Sequence, residues 1–360
     1  MRIGETLIQT QLKEISNVLV GADTVLIFPH INIDGDALGS SVAICKALRD
    51  MGKKSYVVYE EPLPNTLAFL DKHYCIFPTG ENVAAEGHCK ISGKEYRYGE
   101  YTKEIFEDTI EKIDVSVCVD CGDERRVGKR LPLCLEAEKT VCIDHHYSRS
   151  NFCMVNCIDE KAAATGELIF DLLKEMNVSP DKEIGEAIFA AISTDTGKFQ
   201  YSNTREKTHR IAAELYGWGI DASRICSQIY QNDSIGKRRI EAMAVTIMDI
   251  FSEGRCAITY VTQEMLCQLG IRLSDTEGII DLIRDIAGVE FAAFLKEKED
   301  GTISVSFRAK TRGNVAEIAK KYGGGGHIQA AGCTLKMTME TALAVMKEEL
   351  CRVADSFDKK

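Results

Sequence analysis

From Thr24 to Trp218, short β-branched runs alternate with stretches of helical spacing, the pattern of a parallel sheet whose strands are joined by helices. Residues 24–28 (TVLIF) end at Pro29 and predict the first strand. Leu38, Val42, Cys45 and Leu48 then recur at helical spacing across residues 37–51, with Gly52 as a stop. Residues 55–59, 115–119 and 140–143 predict three further strands, and residues 165–176, 182–193 and 205–218 three helices. The connection over residues 62–111 is long, and its polar, glycine-bearing middle, residues 81–101, reads as a surface insertion.

The pattern changes after Gln231-Asn232-Asp233-Ser234, a loop ending in a helix N-cap. Beyond it, strands at 256–261, 291–296 and 302–307 mix with helices at 235–250, 275–286, 315–321 and about 339–353. The fold class expected is α/β: an N-terminal parallel-sheet domain over residues 1–228 and a smaller mixed α/β domain over 237–355.

A chain of 360 residues with 45% hydrophobic and 28% charged residues can bury two cores, which excludes a disordered protein. A net charge of −11 fits poorly with wrapping duplex DNA but leaves room for a nucleotide in one local pocket. Fourteen cysteines raise a disulfide reading. Against it, residues 1–20 lack the charged-then-apolar form of a secretory leader, and Cys118, Cys142 and Cys256 sit within apolar runs as small buried hydrophobes. A reduced, cytoplasmic protein without a membrane span is expected. Cys118 and Cys121 have CxxC spacing. Three positions along a strand put side chains on opposite faces, so structural zinc is not expected there.

The chemistry collects at strand ends. His30, Asp34 and Asp36 lie between the first strand and the first helix, where open α/β sheets bind ligands. Asp120 ends the strand at 115–119, Asp144-His145-His146 ends that at 140–143, and Asp195 follows the apolar run 188–193. Each has an ordinary reading: Asp34 and Asp36 as helix cap and turn, Asp120 as a turn cap, His145 as a satisfied interior histidine, Asp195 as an Asx turn before Gly197. Gathered in one sheet, so many carboxylates would repel one another and lose hydration unless a cation joined them. Aspartates with one or two histidines suit manganese, iron or magnesium. Adjacent in an extended segment, His145 and His146 are expected to diverge, one as ligand and one toward substrate.

In that order, His30-x-Asn32-x-Asp34-x-Asp36, Asp120, Asp144-His145-His146 and Asp195 resemble the successive motifs of the DHH phosphoesterases. Gly323-Gly324-Gly325-Gly326-His327-x-x-Ala330-Ala331-Gly332 resembles the glycine-rich motif of their associated domain. Within the family the chain is most similar to the stand-alone bacterial nanoRNases, which are oligoribonucleases and pAp phosphatases. The resemblance implies two divalent ions, manganese first, with magnesium, iron(II) and cobalt as further candidates. His30 and Asp34 would hold one, Asp36, His145 and Asp195 the other, and Asp120 would bridge them. His146 would contact the scissile phosphate, and Asp144 would orient the histidine pair.

Between Val305 and Lys336, six bases (Arg308, Lys310, Arg312, Lys320, Lys321 and Lys336) face one acid, Glu317. Gly324, Gly325 and Gly326 would let a phosphate approach the backbone, and His327 is expected to open a short helix favouring anions. With Arg308, they are the expected substrate-binding residues. The partners expected are short single-stranded RNA or a nucleotide, not duplex DNA or a membrane; a homodimer is compatible with the sequence. Competing readings are a phosphodiesterase for cyclic di-AMP or linear pApA, an inorganic pyrophosphatase, and a non-catalytic nucleotide-binding regulator.

Overall fold

The computed structural model describes residues 3–60, 63–71, 74–78, 88–98, 108–146, 152–311 and 313–357. The chain forms two compact units, Met1–Asn232 and Asp233–Lys360. In the first, α1 (Ile3–Val20) leads into β1 (Thr24–Pro29), α2 (Gly35–Asp50), β2 (Lys54–Val58) and β3 (Cys75–Pro78). Then come β4 (His88–Ile91), β5 (Lys94–Tyr98), β6 (Asp108–Ile110) and β7 (Val115–Val119). Short helices α3 (Glu124–Val127) and α4 (Leu131–Leu135) precede β8 (Lys139–Asp144) and β9 (Val155–Ile158). Helices α5 (Thr165–Glu175), α6 (Lys182–Asp195), α7 (Glu206–Gly217) and α8 (Ala222–Tyr230) complete the unit.

Its nine strands lie in the order β6-β4-β5-β3-β2-β1-β7-β8-β9. The six from β3 to β9 across β1 are parallel. Alternation along β1 divides the interior between the faces of the sheet. Val25 and Ile27 join a core with α1, α2, α5 and α6; Leu26 and Phe28 join a second with Cys118, Cys142 and Leu133.

Helix α2 begins where Asp34 caps it, its side chain accepting from the Ala37 N–H at 3.0 Å. Glycines then let α2 lie against α6: a Cβ on Gly39 would come within 2.3 Å of the Ala187 carbonyl oxygen, and one on Gly35 within 2.5 Å of Thr194. This close packing brings the start of α2 to the end of α6.

The described part of the insertion is a strand pair, which the sequence pattern left unassigned. Residues 88–98 form the antiparallel pair β4 and β5, which with β6 extends the sheet, β5 pairing antiparallel with β3. Residues 95–98 (EYRY) alternate charged and aromatic at strand period, and Ser92-Gly93, both at positive φ, makes the tight turn that joins β5 to β4. Residues 81–87 and 99–101 lie outside the described residues.

The second unit holds α9 (Ile235–Thr246), β10 (Asp249–Phe251), β11 (Cys256–Val261), α10 (Gln263–Leu269) and α11 (Ile279–Arg284). It continues with β12 (Phe291–Glu297), β13 (Ile303–Ala309), α12 (Val315–Lys321), β14 (Gly325–His327), β15 (Ala330–Leu335) and α13 (Met339–Phe357). The six-stranded sheet β10-β11-β12-β13-β15-β14 is antiparallel except for β11 with β12. The helix expected over 235–250 stops at Thr246, where the chain turns into β10. That expected over 275–286 is broken by Gly278 at φ 93°. Among the described residues no helix is long and apolar enough to cross a membrane.

Candidate metal centre

β1, β2 and β3 run to one side of the sheet and β7, β8 and β9 to the other, so the order reverses between β1 and β7. Loops leaving neighbouring strands at such a point diverge and open a crevice at their carboxyl ends. Register aligns Pro29 with Val119 and Val119 with Ile143. His30, Asp120 and Asp144 therefore leave the sheet side by side. Asp34 and Asp36 come from the start of α2, and Asp195 is the last residue of α6.

Asp120 is the hub. It is 1% exposed, and its backbone sits at φ 56°, left-handed for an L residue, a strain of about 1–3 kcal/mol that the surroundings must hold. Its Oδ2 lies 3.3 Å from His30 Nε2, and its Oδ1 lies 3.2 Å from His146 Nδ1 and 3.7 Å from His145 Nε2. Thr165 donates its hydroxyl to Oδ1 at 2.8 Å. Around this hub, atoms of His30, Asp34 and Asp120 converge as one group and those of Asp36, His145 and Asp195 as another. Asp120, His145 and His146 form a third.

The left-handed turn at Asp120 also explains the cysteines. Cys118 and Cys121 were expected on opposite faces, yet both are buried in one cluster with Cys134, Cys142 and Cys153, because Asp120 breaks the strand alternation between them. Nor do the paired histidines diverge. The chain leaves β8 at Asp144, and the two rings meet edge-on with centroids 4.5 Å apart, both beside Asp120.

The hydrogen bonds fix which ring nitrogen faces inward. His30 Nδ1 lies 2.6 Å from the Ile31 carbonyl oxygen, and His145 Nδ1 lies 3.1 Å from that of Ala162. An Nδ1–H donated to a carbonyl leaves Nε2 as the inward lone pair. Both Nε2 atoms are buried and without a hydrogen-bond partner, 3.3–3.8 Å from the carboxylates of Asp34, Asp36, Asp120 and Asp195. Buried polar atoms seldom stay unsatisfied, so two aimed among carboxylates leave places that a divalent cation fits.

The electrostatics agree. Burial and the neighbouring carboxylates Asp120, Asp195 and Asp34 push Asp36 well above the usual carboxylate range, although the Thr165 and Gly166 N–H groups donate to it at 2.7 and 2.9 Å. Burial likewise raises Asp195 to about 6, His145 opposing and Asp120 adding. Burial would raise Asp120 too, but His146 and His30 outweigh it and hold it well below. In return, and against the cost of burial, Asp120 and Asp34 lift His30 to about 9, with the nearby Arg126 guanidinium opposing; Asp120 and Asp144 lift His146 to about 11. Without a cation, protons on these rings supply the positive charge the carboxylates require.

Asp144 accepts from the His146 backbone N–H and lies 2.9 Å from His146 Nδ1, while its other oxygen accepts from the Gly122 N–H. It thus ties the histidine pair to the Asp120 loop. Sequence reading missed Arg130. This buried guanidinium donates to the carbonyls of Pro29 (2.8 Å), Val58 (2.6 Å) and Val127 (3.0 Å), fastening the ends of β1 and β2 to the turn after α3. Nothing in the chain around Arg130 separates it from a surface arginine.

The second unit treats its motif residues differently. His327 opens no helix; Gly325–His327 form the exposed edge strand β14. Two of the glycines are required by the protein's own backbone: a Cβ on Gly324 would lie 2.1 Å from the Gly332 carbonyl oxygen, and one on Gly326 2.5 Å from that of Ala330. Gly325 faces open space. Arg308 lies 3.4 Å from Asp281.

Comparison with known proteins matches residues 24–192 to the DHH family, N-terminal domain, and residues 254–353 to the DHHA1 domain. The chain is 27% identical to the bifunctional oligoribonuclease and PAP phosphatase NrnA of Thermus thermophilus, over 91% of this chain and 90% of that one. It is also 27% identical to the protein of the same name from Bacillus subtilis, over 87% and 90%. In structure it resembles an exopolyphosphatase-related protein from Bacteroides fragilis, with a TM-score of 0.82 at 23% identity, covering 97% and 98% of the two chains. That likeness concerns the fold.

Proposed function

This chain belongs to the DHH family and carries a DHHA1 domain, and from that premise we propose that it is a metal-dependent phosphodiesterase. It degrades short oligoribonucleotides to mononucleotides and removes the 3′-phosphate of pAp. The observation that carries the reading is the pair of orphaned Nε2 atoms of His30 and His145 pointing among four aspartates, of which Asp36 and Asp120 are buried, Asp195 is half-buried and Asp34 is exposed. The names of the Thermus and Bacillus relatives support the substrate class.

His30, Asp34 and Asp120 would hold one divalent ion and Asp36, His145 and Asp195 a second, with Asp120 shared; mixed imidazole and carboxylate ligands favour manganese. When bound, such ions supply electrophilic charge for a phosphoryl group and lower the pKa of water. His146, held at Nδ1 by Asp144, would present its ring to a non-bridging phosphate oxygen. Thr165 and the first turn of α5 fix Asp120 and Asp36, so the carboxylates are oriented before any ligand arrives. Arg308, Gly324, Gly325, Gly326 and His327 are assigned to nucleotide contact; Gly325 and His327 are open for it, and Arg308 would have to exchange Asp281 for a phosphate.

The test is turnover with manganese on 5′-phosphorylated di- to pentaribonucleotides, pAp, cyclic di-AMP and pyrophosphate, resolved by mass spectrometry, with Asp120→Asn as control. Mononucleotide release from the short RNAs, absent in the control, is the expected result. Turnover confined to cyclic di-AMP or to pyrophosphate would replace the proposed substrate class.

A further inference from the structure

Two adjacent arginines in α3 are used differently. Arg125 is 86% exposed, and its guanidinium is bonded to Asp123, with Nε to Oδ1 at 3.0 Å. Arg126 is half-buried, and among the described residues its guanidinium has no hydrogen bond or ion pair. Of the two acids beside it in the chain, Asp123 is already taken by Arg125, and Glu124 is exposed without an ion pair to Arg126.

The placement of Arg126 is fixed by the metal-site loops. The Ile31 N–H donates to the Arg126 carbonyl at 2.8 Å, stitching α3 to the loop that carries His30. On its other side, the Gly122 N–H is bonded to Asp144. Helix α3 therefore rests between the loops bearing His30 and the histidine pair, four to seven positions after Asp120. A partly desolvated guanidinium without a counter-charge is unfavourable unless something anionic arrives, and its planar fork matches two oxygens of a phosphate. The acidic centre next to it would attract Arg126 as an ion-pair partner, yet the aspartates are engaged with histidines, Thr165 and the start of α5 instead.

We propose that Arg126 grips a substrate phosphate beside His30, binding the anion rather than supporting the metal ligands. This rests on the phosphodiesterase reading, and it adds a substrate-binding residue to that same site.

The experiment uses the full chain loaded with manganese and the variants R126M, R126K and R125M. Calorimetric titration with inorganic phosphate and with 5′-AMP is read beside KM and kcat for a 5′-phosphorylated diribonucleotide, with metal content measured by elemental analysis. R126M, which keeps the apolar stem, is expected to weaken both ligands and raise KM by about 10- to 100-fold at unchanged metal content. R126K should recover part of the loss, and R125M should match the unmodified protein. Binding in R126M equal to the unmodified protein overturns the proposal, as does loss of metal from R126M, which would make the residue a support for the His30 loop. If the unmodified protein binds 5′-AMP through Arg126 but cuts no short RNA, the anion site stands and the activity reading falls. If it cuts short RNA and R126M does so with the same KM, the activity stands and the anion site falls.

Discussion

The carboxylate–histidine cluster at the ends of β1, β7 and β8 and the glycine-rich segment before β15 are the two regions where this sequence carries dense motif signal, and they fold to opposite states. In the first, residues from four separate segments, that of Asp120 included, converge, and the buried Nε2 atoms of His30 and His145 are left without partners. In the second, Gly324 and Gly326 are accounted for by the backbone of β15, and Arg308 already lies beside Asp281. Unmet polar capacity marks a place built for something else to enter; a motif whose atoms are satisfied internally carries structure as well as recognition. Glycine in particular serves either purpose, because the absence of a Cβ admits a ligand or a neighbouring strand equally.

That contrast is open to attack, and the largest effect should come from its hub. Asp120→Asn keeps the shape of the side chain and removes its charge, so kcat should fall by about 10³-fold or more, with loss of bound manganese. Retention of both metal and turnover would remove Asp120 from the centre. Asp144→Asn tests the positioning role: it should cost about 10- to 100-fold in activity or metal affinity, and the pH profile should shift as His146 loses its anchor. An unchanged profile would reduce Asp144 to a loop tether.

The protonation states give a third test. A folded histidine held at about 9, against 6.5 in the unfolded chain, contributes stability that is complete below about 6.5 and lost as pH rises through 9. The metal-free protein should therefore lose melting temperature between about pH 7 and 9.5. Manganese at His30 Nε2 would displace that proton, so the loaded protein should lack this decline, and chelation should restore it. Parallel curves with and without metal would separate His30 from the metal. The smallest effect is expected in the second region: Arg308→Ala or His327→Ala should raise KM by about tenfold with kcat and metal content preserved. Loss of metal from either variant would collapse the distinction between the two regions.

Much of this was legible in the chain. The strand at 115–119 was read to the residue, and His30, Asp120 and Asp144-His145-His146 were found because each follows a β-branched run, so chain order alone places them at strand ends; Asp195 instead closes a helix. The β4–β5 pair was missed because its strands are short and polar on one face, and the pairing of β5 with β3 joins residues about twenty positions apart. Arg130 was missed for a related reason: a guanidinium's role depends on which carbonyls surround it, and those come from the ends of β1 and β2.

By itself, the sequence determined the two-part α/β organisation, the family motifs and the identity of the ligand-type residues, since hydrophobic period and side-chain chemistry are local properties. Tertiary structure alone decided that Asp120 takes a left-handed backbone, that His145 and His146 meet rather than diverge, and that the Nε2 atoms of His30 and His145 face inward. Those outcomes depend on the reversal of strand order beside β1 and on carbonyls contributed by residues as distant as Ala162. Hydrogen bonding at a site is settled by which neighbours the fold delivers, and the fold delivers them from across the sheet.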